Sequence, residues 1–359
     1  MPSAGHLGSQ TITLRAPHLN LANTLDCGQI FCWQKISPHR WRGWIDDSPV
    51  TIRRDTECET KLTITYKPGQ LTPHRIVEFF GLDEDPADTL RTFPPDDPFL
   101  PRALRTAGGI TILRQPLWEC LASFICSSQK QVAHIQHINA RLRALFGRDG
   151  RFPTAETLAA LNPQQLRLAG LGYRARHLQA TACRLAAHPG WLQNLRTLPT
   201  PALIEQLATL PGVGLKVAHC VALFAYHRLE AFPVDVWVHR IVTGLYFPRL
   251  RKKPTLREIY AFGPAYFGPC CGIAQQILFH WLRTMPPAQR KHIFSSARHI
   301  KVPTANDALR RLRKPESKTA RRIKKITTPL KTPASTVPIQ ICDTKQKPPL
   351  GERSNNLCP

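Results

Sequence analysis

The stretch Leu210–Cys220, LPGVGLKVAHC, decides how the chain is read. PALIEQLATL before it and LKVAHCVALFAY after it carry apolar residues at helical spacing, so PGVG is a tight corner between two helices. Gly212 and Gly214 are expected to take backbone angles that other residues resist. The corner is then expected to aim the N–H groups of Gly212, Val213 and Gly214 outward beside a helix N-terminus, which suits a phosphate oxygen. Lys216 falls in the first turn of the second helix, where the partial positive charge of the helix end disfavours an ammonium. An amine held neutral there is a nucleophile; a solvent-facing lysine is the plain alternative.

Further along, FPVDVWVHRIV places Pro233 and Asp235 just ahead of an apolar helical run. That predicts Asp235 as an N-cap whose carboxylate is held ionised by backbone N–H groups and the helix dipole. Capping alone is structural. Beside a primed amine, the same carboxylate is a candidate for stabilising developing positive charge.

Outward from this pair, the first hundred residues read as strand and turn. QTITL, GQIFCWQKI, RWRGWI, VTIRR and KLTITYK are rich in β-branched and aromatic residues and are separated by short polar breaks. They predict a small antiparallel sheet, with TPHRIVEFFGL as a helix on one face. Proline crowds in at FPPDDPFLPRAL, and helical signals dominate from there. LWECLASFICSS sets Leu117, Leu121, Phe124 and Ile125 at core-seeking spacing, and QVAHIQHINARLRALFG ends at a capping glycine, Gly147. The expected organisation is α+β: an antiparallel β-rich domain over 1–105, a helical domain over 106–294, and a basic, disordered tail over 295–359.

Composition narrows the function. The 359 residues hold 49 Lys and Arg against 24 Asp and Glu, a net charge of +25. Such a chain is expected to bind a polyanion, nucleic acid first. No long apolar run or basic amphipathic helix supports a membrane partner. The 11 cysteines include no CxxC pair, so no zinc-ribbon or iron–sulfur framework is expected, and no metal or organic cofactor. The opening MPSAGHLGSQ lacks the pattern of a secretory leader, which predicts an intracellular, DNA-associated protein with mostly free thiols.

With these residues in view, the sequence resembles the helix–hairpin–helix DNA glycosylases, and more narrowly the eukaryotic-type 8-oxoguanine DNA glycosylases. GQIFCWQ, LRQPLWECLASFICSSQKQ, LGYRAR, LPGVGLKVAHC and FGPCCGIAQQILF carry the resemblance in family order, over roughly residues 10 to 290. It implies an N-terminal sheet resembling half of the TATA-binding protein, joined to a helical catalytic domain. It implies excision of 8-oxoguanine opposite cytosine from duplex DNA through a lysine Schiff base, with an associated lyase step, by a monomer. Lys216 would be the nucleophile and Asp235 the essential carboxylate. Gly28 would offer its carbonyl to the N7 hydrogen of the oxidised base. Cys220 and Phe279 would sandwich that base, and Gln275 would bond its Watson–Crick edge. Tyr173 would wedge into the stack beside Arg174, which would read the widowed cytosine.

Helical spacing agrees with two of these pairs: Lys216 with Cys220, and Gln275 with Phe279, are each four apart and share a helix face. Three positions depart from the family pattern. Gln129 stands for an asparagine that contacts the unpaired cytosine, His134 for an assisting arginine, and Trp237 for a histidine near the lesion's phosphate. The rival readings are a glycosylase for alkylated bases, which usually lacks the lysine, and a non-catalytic clamp, which needs no base pocket.

Overall fold

The computed structural model describes residues 8–313, apart from 59, 68, 70, 128 and 129. Five strands form one antiparallel sheet: β1 (Gln10–Arg15), β2 (Gln34–Ser37), β3 (Arg40–Ile45), β4 (Ser48–Arg54) and β5 (Lys61–Tyr66), in the order β1-β5-β4-β3-β2. Helix α1 (Leu21–Asp26) lies between β1 and β2. After the sheet come α2 (Pro73–Phe79), α3 (Pro86–Arg91), α4 (Leu100–Ala107), α5 (Leu117–Cys126) and α6 (Val132–Phe146). Next are α7 (Ala155–Ala159), α8 (Pro163–Arg167), α9 (Arg174–Ala187), α10 (Trp191–Asn194), α11 (Thr200–Ala208) and α12 (Leu215–Phe224). The last are α13 (Val236–Ile241), α14 (Leu256–Phe267), α15 (Cys271–Thr284), α16 (Pro287–Ser296) and α17 (Pro303–Arg313).

Alternation builds the sheet. Trp41 and Ile45 of β3, Val50 and Ile52 of β4, and Leu62, Ile64 and Tyr66 of β5 all point to one buried face. Helix α2 covers that face with Ile76 and Phe79, and Phe80 follows. Thr72 starts this helix, its hydroxyl accepting from Arg75 N at 3.2 Å, with Pro73 at the first helical position. Gly43 must lack a side chain because the Trp33 indole lies flat against it.

The helical region is organised on α5, which is buried on all sides from Cys120 to Cys126 rather than along one stripe. Arg143 of α6 bonds Glu119 of α5 at 2.5 Å, and its guanidinium lies 4.9 Å from the Trp44 ring of β3. That buried ion pair ties the sheet to the helices. A buried carboxylate, Asp97, accepts four hydrogen bonds, tying the start of α4 to Tyr246 and to α14. Its oxygens accept from Phe99 N and Leu100 N at 2.8 and 2.7 Å, and from the hydroxyls of Tyr246 and Tyr266 at 3.0 and 2.9 Å.

Two expected boundaries move. Leu100 and Ala103 lie before residue 105, yet they pack into the helical core. The expected tail began at 295, but α17 is folded, with Ala305, Ala308 and Leu309 buried and Arg313 bonded to Glu258 at 2.6 Å. Its narrow apolar stripe is set among arginines, so composition hid it. The rest of the expected tail, 314–359, lies outside the described residues.

Helix α12 is tied to the segment before α13 by His219. Its Nδ1 accepts from Phe232 N at 3.1 Å, and its ring stacks on Tyr260 with centroids 4.6 Å apart. Burial pulls the His219 imidazole down to about 4, and burial with the nearby Arg283 does the same for His280. Both are therefore neutral when folded at neutral pH.

Asp97→Ala strands two buried hydroxyls and two N–H groups, and we expect it to cost about 3 kcal/mol or more in urea unfolding. Between about 6.5 and 4 the unfolded chain binds protons that folded His219 and His280 refuse. Their contribution to stability is therefore full above about 6.5 and is lost as pH falls towards 4. His219→Asn keeps an acceptor for Phe232 N and should flatten that loss; an unchanged pH slope in denaturant melts would contradict it.

Candidate active site

The hairpin is built as the sequence predicts, with two differences. Gly212 has φ +78°, and a Cβ there would come within 2.6 Å of His177 Cβ. Both the conformation and the contact require glycine. Gly214 has φ −87° and is the N-cap of α12, with open space where a side chain would be, so its backbone needs no glycine. Val213 is the second difference. Its side chain is buried and its N–H donates inward to Leu210 O at 3.1 Å, so it offers no N–H outward. The first turn of α12 has no side-chain cap, and Gly214 and Leu215 are exposed. An uncapped, exposed helix start of this kind favours an anion.

Two helix starts bring Lys216 and Asp235 to one place. Asp235 caps α13, its Oδ1 accepting from Val238 N at 2.8 Å. Ahead of it, Phe232 N is held by His219. Lys216 Nζ donates to Ser127 Oγ at 3.0 Å and lies 5.1 Å from the Phe124 ring centroid. Lys216 and Asp235 line the same cavity of about 750 Å³, with Gly28, Phe31, Trp237 and Phe279 among the other walls.

Phe279 and Gly28 face each other there. Gly28 has φ +83°, and a Cβ on it would sit 3.2 Å from Val132 Cγ2 and 3.7 Å from Phe279 Cε1. Cys220 and Gln275 do not line the cavity; they are 3% and 4% exposed. Burial pushes the Cys220 thiol up to about 11, with the neighbouring Lys216 working against it. Gln275 Oε1 is buried with no hydrogen-bond partner among the described residues. An amide oxygen left in that state is costly unless a guest satisfies it.

Tyr173 is 54% exposed at the start of α9, its ring edge-on to His177 at 6.3 Å. Since His177 also packs on Gly212, the aromatic projects beside the hairpin corner. Arg174 is a correction. A side chain that reads an unpaired base is expected at the surface, whereas Arg174 is 5% exposed in the first turn of α9, its guanidinium 4.4 Å from the Tyr173 ring centroid. The turn at Gly172 winds directly into the helix and folds this side chain inward. Trp237 is flanked by Arg290 and Arg240, at 4.8 and 6.0 Å. His134 is exposed on α6 and does not line the cavity, and Gln129 lies outside the described residues.

Sequence reasoning missed Ser127, Phe124 and His219. Phe124 and Ser127, at the end of α5, meet Lys216 across the fold, and His219, one turn beyond Lys216 on α12, reaches Phe232; these partners come from segments far apart in the chain, so local spacing does not show them. Among the described residues, no group of three His, Cys, Asp or Glu gathers as a metal site would need, and no helix is long and apolar enough to cross a membrane.

Against known proteins, residues 11–121 match the 8-oxoguanine DNA glycosylase N-terminal domain, and residues 122–262 match the HhH-GPD superfamily of base excision DNA repair proteins. The chain is 32% identical over 294 residues to an N-glycosylase/DNA lyase of Arabidopsis thaliana, covering 75% of this chain and 78% of that protein. An N-glycosylase/DNA lyase of Saccharomyces cerevisiae is 31% identical over 263 residues, covering 64% and 69%. Among solved structures, the Clostridium acetobutylicum 8-oxoguanine glycosylase/lyase, in complex with duplex DNA containing cytosine opposite 8-oxoG, superposes with a TM-score of 0.66 at 26% identity. That match covers 76% of this chain and 97% of that one. Both family models and the relatives point the same way: the chain belongs to the 8-oxoguanine DNA glycosylase family of the HhH-GPD superfamily.

Proposed function

We propose that this protein is a base-excision repair enzyme that removes 8-oxoguanine from duplex DNA and then cleaves the strand at the resulting site. One observation carries the assignment of roles: Lys216 and Asp235 border one cavity that Gly28 and Phe279 also wall. A clamp that only grips the backbone needs no amine and carboxylate inside a pocket, and Lys216 weighs against a purely hydrolytic glycosylase.

The chemistry follows from the positions. Basic surface and the open start of α12 hold the phosphates. The damaged nucleotide rotates out of the stack into the cavity, and Tyr173, exposed beside the hairpin, fills the gap. As the bond from C1′ to the base nitrogen lengthens, the sugar gains positive charge, which the Asp235 carboxylate stabilises. The Lys216 nitrogen, having given up a proton, attacks C1′, and the bonding pair leaves with the base. Opening of the sugar ring gives an imine. Loss of a proton from C2′ then expels the 3′ phosphate and cuts the strand. In this reading Gln275, whose buried Oε1 has no hydrogen-bond partner among the described residues, accepts from the edge of the base, and Phe279 stacks on its face. Burial of Cys220 as a neutral thiol beside Lys216 gives the opposite face a polarisable neighbour.

Borohydride reduction on a duplex carrying 8-oxoguanine opposite cytosine tests this. Wild-type protein should become covalently joined to the DNA, and Lys216→Gln should lose the adduct entirely. Asp235→Asn keeps an N-cap acceptor for Val238 N, so it should fold normally and still excise about 10²–10³-fold more slowly. Excision with no trapped adduct in the wild type would overturn the roles given to Lys216.

A further inference from the structure

The segment Asp26–Gln29 leaves α1 and belongs to no strand, so its carbonyls cannot be satisfied by a ladder. Side chains satisfy them instead. Asp26 O accepts from Arg283 Nη2 at 2.5 Å, Cys27 O from Gln276 Nε2 at 2.7 Å, and Gln29 O from Gln115 Nε2 at 2.7 Å. The Gln29 side chain itself donates to Thr24 O and Thr111 O at 3.0 and 2.9 Å, and accepts from Leu113 N at 2.9 Å. Among the described residues, the Gly28 carbonyl receives no hydrogen bond, and Gly28 is the residue of this segment's centre that borders the cavity.

Two of these donors come from one helix. Gln276 and Arg283 are two turns apart on α15, hence on one face, with Phe279 between them. The Arg283 guanidinium also lies 5.6 Å from the Phe279 ring centroid. Helix α15 therefore delivers the stacking ring and the clamps on the neighbouring carbonyls as one rigid unit. The spacing between Gly28 and Phe279 is set by that unit.

We propose that Gln276 and Arg283 are specificity-determining positioning residues: by holding the Cys27 and Asp26 carbonyls, they fix Gly28 against Phe279 so that oxidised and ordinary guanine are told apart. This rests on the reading of Gly28 and Phe279 as walls of the base pocket. The two bases differ there by one hydrogen. Oxidised guanine presents an N–H at N7, where guanine presents a lone pair, so a carbonyl attracts one and repels the other. A hydrogen bond weakens steeply as its geometry drifts, so a loosened carbonyl discriminates poorly. The sugar chemistry at Lys216 makes no use of this contact.

The test separates recognition from chemistry. In a Lys216→Gln background, affinity is measured for duplexes carrying 8-oxoguanine or guanine opposite cytosine. With Lys216 intact, cleavage of a duplex with a preformed abasic site is timed. Gln276→Leu and Arg283→Met should each lower the affinity ratio about tenfold and change abasic cleavage less than about twofold, whereas Arg283→Lys, which keeps a donor and a cation, should restore the ratio. Thermal melting checks folding, and Arg283→Met, at a partly exposed position, carries the test if Gln276→Leu does not fold. An unchanged ratio in a folded variant overturns the inference, as does an equal fall in ratio and abasic cleavage. If the parent shows no preference for 8-oxoguanine at all, the pocket reading itself falls, and the inference with it.

Discussion

The hydrogen bond from Phe232 N to His219 Nδ1 joins the two helix starts on which the site depends. His219 lies one turn beyond Lys216 on α12, and Phe232 lies just before the Asp235 cap of α13. That tie adds a directional link between the segment carrying the amine and the segment carrying the carboxylate. Burial keeps the imidazole neutral, so Nδ1 remains an acceptor, and stacking on Tyr260 fixes the plane of the ring. The relative position of Lys216 and Asp235 thus leans on a bond that lies outside the cavity they line. Small displacements of reacting groups are expensive, so such supports matter as much as the groups they aim.

Helix ends perform three different tasks in this molecule. The start of α13 is closed by Asp235, which spends one oxygen on Val238 N and leaves its carboxylate at the cavity. The start of α12 is uncapped and exposed, a place for an external anion. The start of α4 is satisfied internally by Asp97, which also gathers two tyrosine hydroxyls. One backbone feature, the four unpaired N–H groups at a helix start, is thus met in three ways: by a cavity carboxylate, by solvent and by a core carboxylate. Which task it performs depends on what lies opposite.

The join between sheet and helices is polar as well as apolar. Arg143 pairs with Glu119 beneath Trp44, and the Gln29 side chain bridges α1 to the segment before α5. Buried polar links of this kind tolerate little sliding, because each displaced donor or acceptor loses its partner away from water. They give the cavity walls contributed by Gly28 and Phe31 a fixed position relative to α12 and α15.

Much was legible in sequence because it is local. The hairpin follows from PGVG between two apolar periodic runs, the Asp235 cap from its place before VWVHRIV, and the sheet from alternation in β3 to β5. Lysine at a helix start stood out because it conflicts with its own surroundings. The family resemblance named Gly28, Gln275 and Phe279, which no local rule would have raised above core or turn. Tertiary packing alone decided the rest: that Arg174 turns inward, that Val213 spends its N–H inside the corner, that Ser127 meets Lys216, and that α17 folds beyond the expected boundary. The division has a physical reason. Backbone propensity, capping and periodicity act over a few residues and are written in their order, whereas a side chain's direction and partner depend on segments that only the folded chain brings alongside.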